Sequence, residues 1–188
     1  KHPVTNVTLV DIDGEIIELC KKYFPSLSKN SYKDSRVKLV VQDGIKFVKD
    51  TKDKFDVILI DSTDPIGPGE VLFTRSFYKN LSEILSRNGI IVFQGGIPFL
   101  QVKQFKKMNN YLQRIFSFHG FYFVTVPTYS GGKMALGWGS NKINLNSLST
   151  KKLEKNMNSL SIDLKYYNLS MHFASFAMPE NIKKIISK

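Results

Sequence analysis

Short, nearly continuous apolar runs alternate with amphipathic segments along the first half of the chain. The runs Val7–Val10, Val37–Val41, Asp56–Ile60 and Ile90–Phe93 have the length and character of strands buried on both faces of a sheet. The segment Glu15–Phe24 places its apolar residues on one face of a helix and stops before a proline. Strands and helices that alternate in this way predict an α/β fold with a mostly parallel sheet.

The second half continues with helices and ends in an antiparallel pair of strands. Helices are predicted at about Phe73–Ser86 and Gln101–Phe118, and the glycines at 89 and 120 are expected to close them. The strands Phe121–Val126 and Lys133–Trp138 are joined by a link short enough for an antiparallel hairpin. The predicted sheet therefore carries a C-terminal hairpin.

Length and composition indicate one globular domain. The 188 residues, 42% of them hydrophobic, are enough for a sizeable core, and we predict a single domain over residues 1–188. Within it we expect a surface loop over 25–36, a short helix over 150–158 and a lysine-rich helix after Pro179. No apolar run approaches the ~18 to 20 residues of a membrane span. The single cysteine, Cys20, cannot form an internal disulfide, so we expect a soluble protein of the reducing cytoplasm.

The chain is strongly basic. Lysine and arginine outnumber acidic residues by 27 to 16, a formal charge of +11, which raises the question of a nucleic-acid partner. The lysines are scattered along the sequence, with no dense block and no nucleic-acid-reading motif. We therefore interpret them as a solvated surface and do not expect nucleic acid to bind.

Polar side chains follow the predicted strands, where parallel sheets bind their ligands. Asp11 can accept hydrogen bonds from two ribose hydroxyls, with Asp13 as its competitor and a helix N-cap as its alternative role. Asp43 and Gly44 can meet an adenine amino group, and capping the next helix is again the alternative. Together these residues suggest a nucleoside site.

The turn DSTDPIGPG after Ile60 holds two carboxylates, Asp61 and Asp64. Two prolines stiffen its path and two glycines permit tight turns, so both carboxylates can converge on one cation. A carboxylate that holds an ammonium group can also remove its proton, which makes an amine the natural guest. Gln94 and Tyr129, at neighbouring chain turns, are placed to hydrogen-bond the same guest.

The three histidines do not suggest a metal site. His2, His119 and His172 are isolated from one another and lack metal-ligand spacing, so no metal is expected.

Five segments carry a resemblance to a known family. They are VTLVDID (7–13), VVQDGIKFV (40–48), FDVILIDSTDPIGPGEVLFTRSFY (55–78), VPTYSGGKMALGW (126–138) and YYNLSMHFASFAMP (166–179). In their order the chain resembles spermidine synthases, the polyamine aminopropyltransferases. The resemblance implies a Rossmann-like fold of the class I methyltransferase type and a transferase of polyamine biosynthesis. The implied reaction transfers an aminopropyl group from decarboxylated S-adenosylmethionine to putrescine and yields spermidine and methylthioadenosine. Decarboxylated S-adenosylmethionine is then a co-substrate, with no permanently bound cofactor, and the full-length protein is a homodimer or homotetramer.

The resemblance also assigns roles by position. Asp61 matches the family's proton acceptor, and Asp11 stands where the family usually has a ribose-binding glutamate. The matching amine contacts are Asp61, Ser62, Thr63, Asp64, Gln94 and Tyr129. The matching nucleoside contacts are Asp11, Asp43, Gly44 and Pro68.

One family feature is missing from the sequence. A glycine-rich turn typically precedes the ribose-binding acid by ~20 residues, but only ten residues precede Asp11 and none is glycine. We expect this loop, its strand and the family's N-terminal β-domain to precede Lys1, so that the chain is the C-terminal portion of a longer architecture. A chain that truly began at Lys1 would have weak or no activity.

Two other functions remain open. An S-adenosylmethionine-dependent methyltransferase shares the implied fold, but the DSTDP turn favours aminopropyl transfer. A non-catalytic fragment or nucleic-acid-binding module would use the basic surface instead.

Overall fold

The computed structural model describes residues 3–62, 67–160 and 162–187. The chain forms two compact units: unit 1 is Lys1–Thr51 and unit 2 is Lys52–Lys188. Thr63 and Asp64 lie outside the described residues.

Unit 1 is a parallel β-α-β arrangement followed by a helix. Its elements are β1 (Val7–Asp11), α1 (Gly14–Tyr23), α2 (Pro25–Ser28), a 3-10 helix (Ser31–Lys33), β2 (Val37–Val41) and α3 (Gly44–Asp50). β1 and β2 pair in parallel, with Asp11 opposite Val41. Ile17 and Val48 are buried, whereas Leu9 and Val41 remain exposed.

The segment between α1 and β2 is more ordered than the predicted surface loop. Pro25 begins α2, and Lys29 and Asn30 end it with positive φ angles of 45° and 63°. The Arg36 guanidinium then donates to Asp34 at 2.8 Å and 2.9 Å and to the Val4 carbonyl at 3.0 Å. This pairing raises the pKa of Arg36 and fixes the entry into β2.

Unit 2 contains a four-stranded sheet in the order β3-β4-β6-β5. Its strands are β3 (Phe55–Ile60), β4 (Leu85–Gly96), β5 (Phe118–Thr125) and β6 (Lys133–Ser140). β3 and β4 are parallel, and both pairings of β6 are antiparallel. The parallel strands and the C-terminal antiparallel hairpin confirm the predicted α/β architecture.

The helices of unit 2 include the four predicted ones and one that was not predicted. They are α4 (Arg75–Ile84), α5 (Val102–Ile115), α6 (Thr150–Asn158), α7 (Leu169–Phe176) and α8 (Glu180–Ile186), with 3-10 helices at Gly67–Phe73 and Leu145–Ser147. Of these, α6 has its predicted bounds, and α7 is the helix that was not predicted. No helix of the described residues combines the length and the apolar character needed to cross a bilayer.

Gly89 and Gly120 lie inside strands, so the prediction that they close helices is wrong. The register of β4 against β3 shifts before Ile90. A Cβ at Gly89 would lie 3.0 Å from the Phe55 carbonyl oxygen, so glycine permits this close passage. A Cβ at Gly120 would lie 3.1 Å from the Trp138 indole nitrogen, so glycine there makes room for a buried ring.

The core of unit 2 is dense and aromatic. Trp138, Phe105 and Leu112 are fully buried. The face of β3 that carries Val57 and Leu59 is different, since these side chains are 58% and 73% exposed. The prediction that the strands are buried on both faces is therefore wrong for β3, and also for β1 and β2, where Leu9 and Val41 are exposed.

Candidate functional site

Two carboxylates share the carboxyl edge of the unit 1 sheet. Asp11 is the last residue of β1, and its carbonyl accepts from the Gln42 N–H at 2.9 Å, directly after β2. Asp43 follows Gln42, so the strand ends bring Asp11 and Asp43 to one edge. Unit 1 thus assembles the two acids that the sequence assigned to a nucleoside.

Asp13, not Asp11, caps helix α1. Asp13 Oδ1 accepts from the Glu15 and Ile16 N–H groups at 2.9 Å and 3.3 Å. The half-buried Asp11 uses Oδ1 to accept from the Asp13 N–H at 2.9 Å, and Oδ2 takes no part in that bond. The N-cap alternative for Asp11 is therefore wrong. A local turn holds the Asp11 carboxylate through Oδ1, so Oδ2 is not used in this hydrogen bond.

Asp43 caps helix α3, and the space that a side chain at Gly44 would occupy is open. Asp43 Oδ1 accepts from the Ile45 N–H at 2.7 Å. No heavy atom of the described residues lies within 4 Å of a Cβ built on Gly44, and its φ angle is not one that requires glycine. Packing within the described residues therefore does not require glycine at position 44.

Unit 2 brings a second set of polar groups to the carboxyl end of its parallel pair. Ile60 of β3 pairs with Phe93 of β4, so Asp61 and Gln94 each directly follow a paired residue. Asp61 is exposed, and Ser62 and Gln94 are half-buried. Pro68 is the second residue of the 3-10 helix Gly67–Phe73.

Tyr129 lies in the tight turn that joins β5 to β6. The Tyr129 N–H donates to the Val126 carbonyl at 3.0 Å, and its own carbonyl accepts from the Gly132 N–H at 2.9 Å. β6 runs antiparallel to β4, with Ala135 opposite Gly96, so this turn is at the same end of the sheet as Gln94. The Tyr129 side chain is 45% exposed and available to a ligand.

Sequence reasoning missed the residues that shape the chain after Gln94. Gln101 Oε1 accepts from the Ile97 N–H at 2.8 Å and occupies the place of a Cβ on Gly96, whose φ is +75°. The Phe99 ring likewise fills the space beside Gly131, whose φ is +83°; a Cβ there would lie 2.4 Å from Phe99 Cζ. The glycine pairs at 95–96 and 131–132 were the available signal for these contacts, because paired glycines often occur where there is no room for a Cβ or where φ is positive.

Aromatic packing fixes the strand end on which Gln94 sits. The Phe93 ring meets Tyr78 edge-on at 4.9 Å between centroids, and both side chains are 2% exposed. Burial raises the pKa of the Tyr78 hydroxyl. Gln94 therefore directly follows a residue that is fixed in the core of unit 2.

Each unit thus presents one kind of chemistry. Unit 1 offers two carboxylates and an open glycine, which suit hydroxyl and amino groups of a nucleoside. Unit 2 offers an exposed carboxylate with neutral amide and phenol groups, which suit an amine. Among the described residues, no group of three or more acidic, histidine or cysteine side chains is arranged to hold a metal ion.

Comparison with solved structures defines the class of fold. The chain superposes on a spermidine synthase solved with the transition-state analogue AdoDATO, with a TM-score of 0.89 and 32% identity over 99% of this chain and 63% of that one. It matches the spermidine synthase of Thermotoga maritima with a TM-score of 0.87 and 31% identity, covering 99% and 62% of the two chains. The fold is accordingly Rossmann-like, of the type found in these transferases.

Sequence comparison then gives the family. Residues 1–151 match the model of the spermine/spermidine synthase domain, and the chain belongs to that family. It is 44% identical over 186 residues to the polyamine aminopropyltransferase of Ruegeria sp. (strain TM1040), covering 98% of this chain and 66% of the relative. It is 40% identical over 189 residues to polyamine aminopropyltransferase 1 of Pseudomonas aeruginosa, covering 100% and 66%. The chain thus spans just under two thirds of the length of these relatives.

Proposed function

We propose that residues 1–188 act as the Rossmann-like catalytic domain of a polyamine aminopropyltransferase. The enzyme would transfer the aminopropyl group of decarboxylated S-adenosylmethionine to putrescine, giving spermidine and methylthioadenosine. The observation that carries the proposal is the register of β3 and β4, which puts the Asp61 carboxylate and the Gln94 amide after paired strand residues in a chain of this family. The proposal includes a cytoplasmic location and, for the full-length protein, a homodimer or homotetramer.

Asp61 is the proposed base. It is exposed, so an incoming ammonium can reach it, and Gln94 and Tyr129 can orient the amine without adding charge. Ser62 is the next residue of the same turn. Thr63 and Asp64 are proposed as further amine contacts on the family pattern.

The nucleoside contacts are proposed in unit 1. Asp11 Oδ2 would accept from ribose hydroxyls, while the bond from the Asp13 N–H to Oδ1 keeps the carboxylate in place. Asp43 would accept from the adenine amino group, and Gly44 would let the base approach the backbone. Pro68 would line the nucleoside on the family pattern.

In the proposed reaction the protein has to align the amine with the sulfonium co-substrate and remove a proton from the ammonium group. Asp61 takes a proton from the ammonium, and the freed nitrogen lone pair attacks the aminopropyl carbon bonded to sulfur. The carbon–sulfur bond breaks, its electron pair returns to the sulfonium, and neutral methylthioadenosine leaves. The carboxylates of Asp61 and Asp64 would attract the putrescine dication despite the net charge of +11, because salt screens the more distant lysines.

The test measures methylthioadenosine released from putrescine and decarboxylated S-adenosylmethionine by the wild-type protein and by Asp61→Asn. We expect the substitution to lower kcat by about 10²- to 10⁴-fold, the usual range for a lost general base. Asp56→Asn is the matched control: Asp56 lies near the other end of β3, where its Oδ1 accepts from Ser86 Oγ at 2.7 Å, and an amide oxygen can keep that bond. Undiminished product with Asp61→Asn would refute the assignment of the base. Formation of S-adenosylhomocysteine from S-adenosylmethionine would instead support a methyltransferase.

A further inference from the structure

Helix α5 concentrates positive charge on a single face. Its sequence, VKQFKKMNNYLQRI, contains four basic residues and no acidic one. Lys103, Lys106, Lys107 and Arg114 are all exposed. At 100° per residue these cations fall, with Asn110 and Tyr111, within about 140° of the helix circumference. The lysines that look scattered in the sequence are therefore locally ordered here.

These six residues line a shallow depression of about 430 Å³. We call this surface the α5 basic face. It extends for about 16 Å from Lys103 to Arg114, at 1.5 Å per residue. Within the described part of the chain, none of its four cations makes a salt bridge, so their charge is available to a ligand.

The face combines phosphate-binding groups with an aromatic ring. The Tyr111 ring is half-buried, and Lys107 Nζ lies 5.9 Å from its centroid. A row of cations beside an aromatic ring is the combination used to bind single-stranded nucleic acids, in which phosphates contact the cations and a base stacks on the ring. Asn110 adds a side chain that can donate and accept hydrogen bonds.

A membrane surface fits this helix poorly. The opposite side of α5 is anchored in the core, with Phe105, Met108 and Leu112 no more than 1% exposed. A helix that lies in a bilayer interface buries its apolar side in the lipid, and α5 has already buried that side in protein. An acidic peptide would satisfy the cations but would leave Tyr111 without a stacking partner.

We propose that the α5 basic face binds single-stranded nucleic acid, through phosphate contacts to Lys103, Lys107 and Arg114 and base stacking on Tyr111. This binding is separate from aminopropyl transfer and uses none of the residues assigned to it.

The test measures fluorescence anisotropy of a labelled 12-nucleotide single-stranded RNA of mixed sequence over a range of salt concentrations. The variant K103Q/K107Q/R114Q should bind about ten- to a hundredfold more weakly at 0.1 M salt, and the slope of log affinity against log salt should become shallower by about 2, since each lost phosphate contact contributes ~0.7. The matched control is K151Q/K152Q/K155Q, which removes the same charge from exposed positions of α6. The control should change affinity by no more than about twofold, because these lysines lie outside the α5 basic face.

Two Tyr111 variants separate a binding surface from diffuse attraction. Tyr111→Leu should weaken RNA binding at least about fivefold with the salt slope unchanged, and Tyr111→Phe should retain wild-type affinity, because stacking needs the ring and not the hydroxyl. Equal weakening by the α5 and α6 triple variants would overturn the proposal, since binding would then follow net charge alone. It would also be overturned if vesicles containing phosphatidylserine bound more tightly than RNA, or if Tyr111→Leu bound as the wild type does.

Discussion

Units 1 and 2 start from the same sequence pattern, an apolar strand that ends at a carboxylate, but they pack very differently. Unit 2 stacks helices on four strands and buries Trp138, Phe105 and Leu112 completely. Unit 1 has two paired strands, buries Ile17 and Val48, and leaves Leu9 38% exposed. A strand pattern therefore locates a strand reliably, whereas the depth of its burial depends on how many layers surround it.

The candidate site residues of the two units are also held in different ways. Asp11 and Asp43 of unit 1 are fixed by hydrogen bonds to N–H groups two residues further along the chain. Gln94 of unit 2 is paired with Leu136 of β6 and directly follows the buried Phe93, which pairs with Ile60 of β3. Unit 1 thus relies on local bonds and unit 2 on its core, and the first kind of structure opens more easily.

The largest expected effect is on the core of unit 2. Leu112→Ala removes a fully buried side chain and should lower the free energy of unfolding by about 2–5 kcal/mol. The only tryptophan, Trp138, is buried in unit 2, so its fluorescence during urea unfolding reports this unit. Leu27→Ala in unit 1 is the matched control: Leu27 is 78% exposed, and the change should stay within about 0.5 kcal/mol.

Hydrogen exchange on the same variant shows whether the two units open separately. Amides of β1 and β2 should exchange faster than those of β4 and β6 in the wild type, and Leu112→Ala should leave the β1 and β2 rates unchanged. A parallel loss of protection in all four strands would mean that both units unfold in one cooperative step.

Two glycine-to-alanine substitutions should change stability by smaller amounts and in opposite directions. A Cβ at Gly137 would lie 2.2 Å from Phe93 Cζ, and the Phe93 ring is confined by Tyr78, so Gly137→Ala should destabilise unit 2 by about 1–3 kcal/mol. Gly44→Ala meets no described atom within 4 Å and should change stability by less than about 1 kcal/mol, in the stabilising direction.

Gly44→Ala also tests the assignment of unit 1 to the nucleoside. Methylthioadenosine affinity measured by calorimetry should fall for Gly44→Ala, while Gly137→Ala, corrected for the folded fraction, should bind as the wild type does. Unchanged affinity with Gly44→Ala would show that no ligand approaches the backbone there.

Most of the elements were predictable because their signals are local. Helix α6 was predicted at its observed bounds, and the hairpin of β5 and β6 was found from two apolar runs with a short link. The start of β4 was missed, because residues 85–89 carry no strand pattern and only Leu85 among them has a register partner, Phe55 of β3, before the register shifts. Such pairing is a tertiary effect that sequence periodicity does not contain.

The candidate site was predictable to a similar degree. The positions of Asp11, Asp43 and Asp61 follow from where β1, β2 and β3 end. The predicted end of β4 at Phe93 was wrong, because β4 continues to Gly96 and only its pairing with β3 ends at Phe93. The support given by Gln101 and Phe99 was not predictable, since both act through glycines whose φ angles are known only once the chain is folded. The α5 basic face was also missed. Its cations are spread over twelve residues of sequence and come together only on one side of the folded helix.

The smallest effect expected is a pH dependence confined to unit 2. Burial lowers the pKa of His119 and of His172 from the ordinary value of 6.5. His119 Nδ1 is buried and has no hydrogen-bond partner among the described residues, and burial of the ring outweighs the Phe116 backbone contact, which alone would raise the pKa. His172 Nδ1 lies 2.8 Å from the Tyr167 hydroxyl and is surrounded by rings, including Phe176 at 5.2 Å.

A lowered folded-state pKa means that the unfolded chain takes up protons first as the pH falls. The stability of unit 2 should therefore decrease as the pH falls through about 6.5, until the folded histidines are also protonated. Urea unfolding followed by Trp138 fluorescence at pH 7.5 and 5.5 measures this difference. His119→Gln/His172→Gln should reduce it, since glutamine does not titrate and can still accept from Tyr167. The described residues of unit 1 include no histidine, so the protection of β1 and β2, corrected for intrinsic exchange, should not change over this range. An equal pH effect in both units would place its source outside the two histidines.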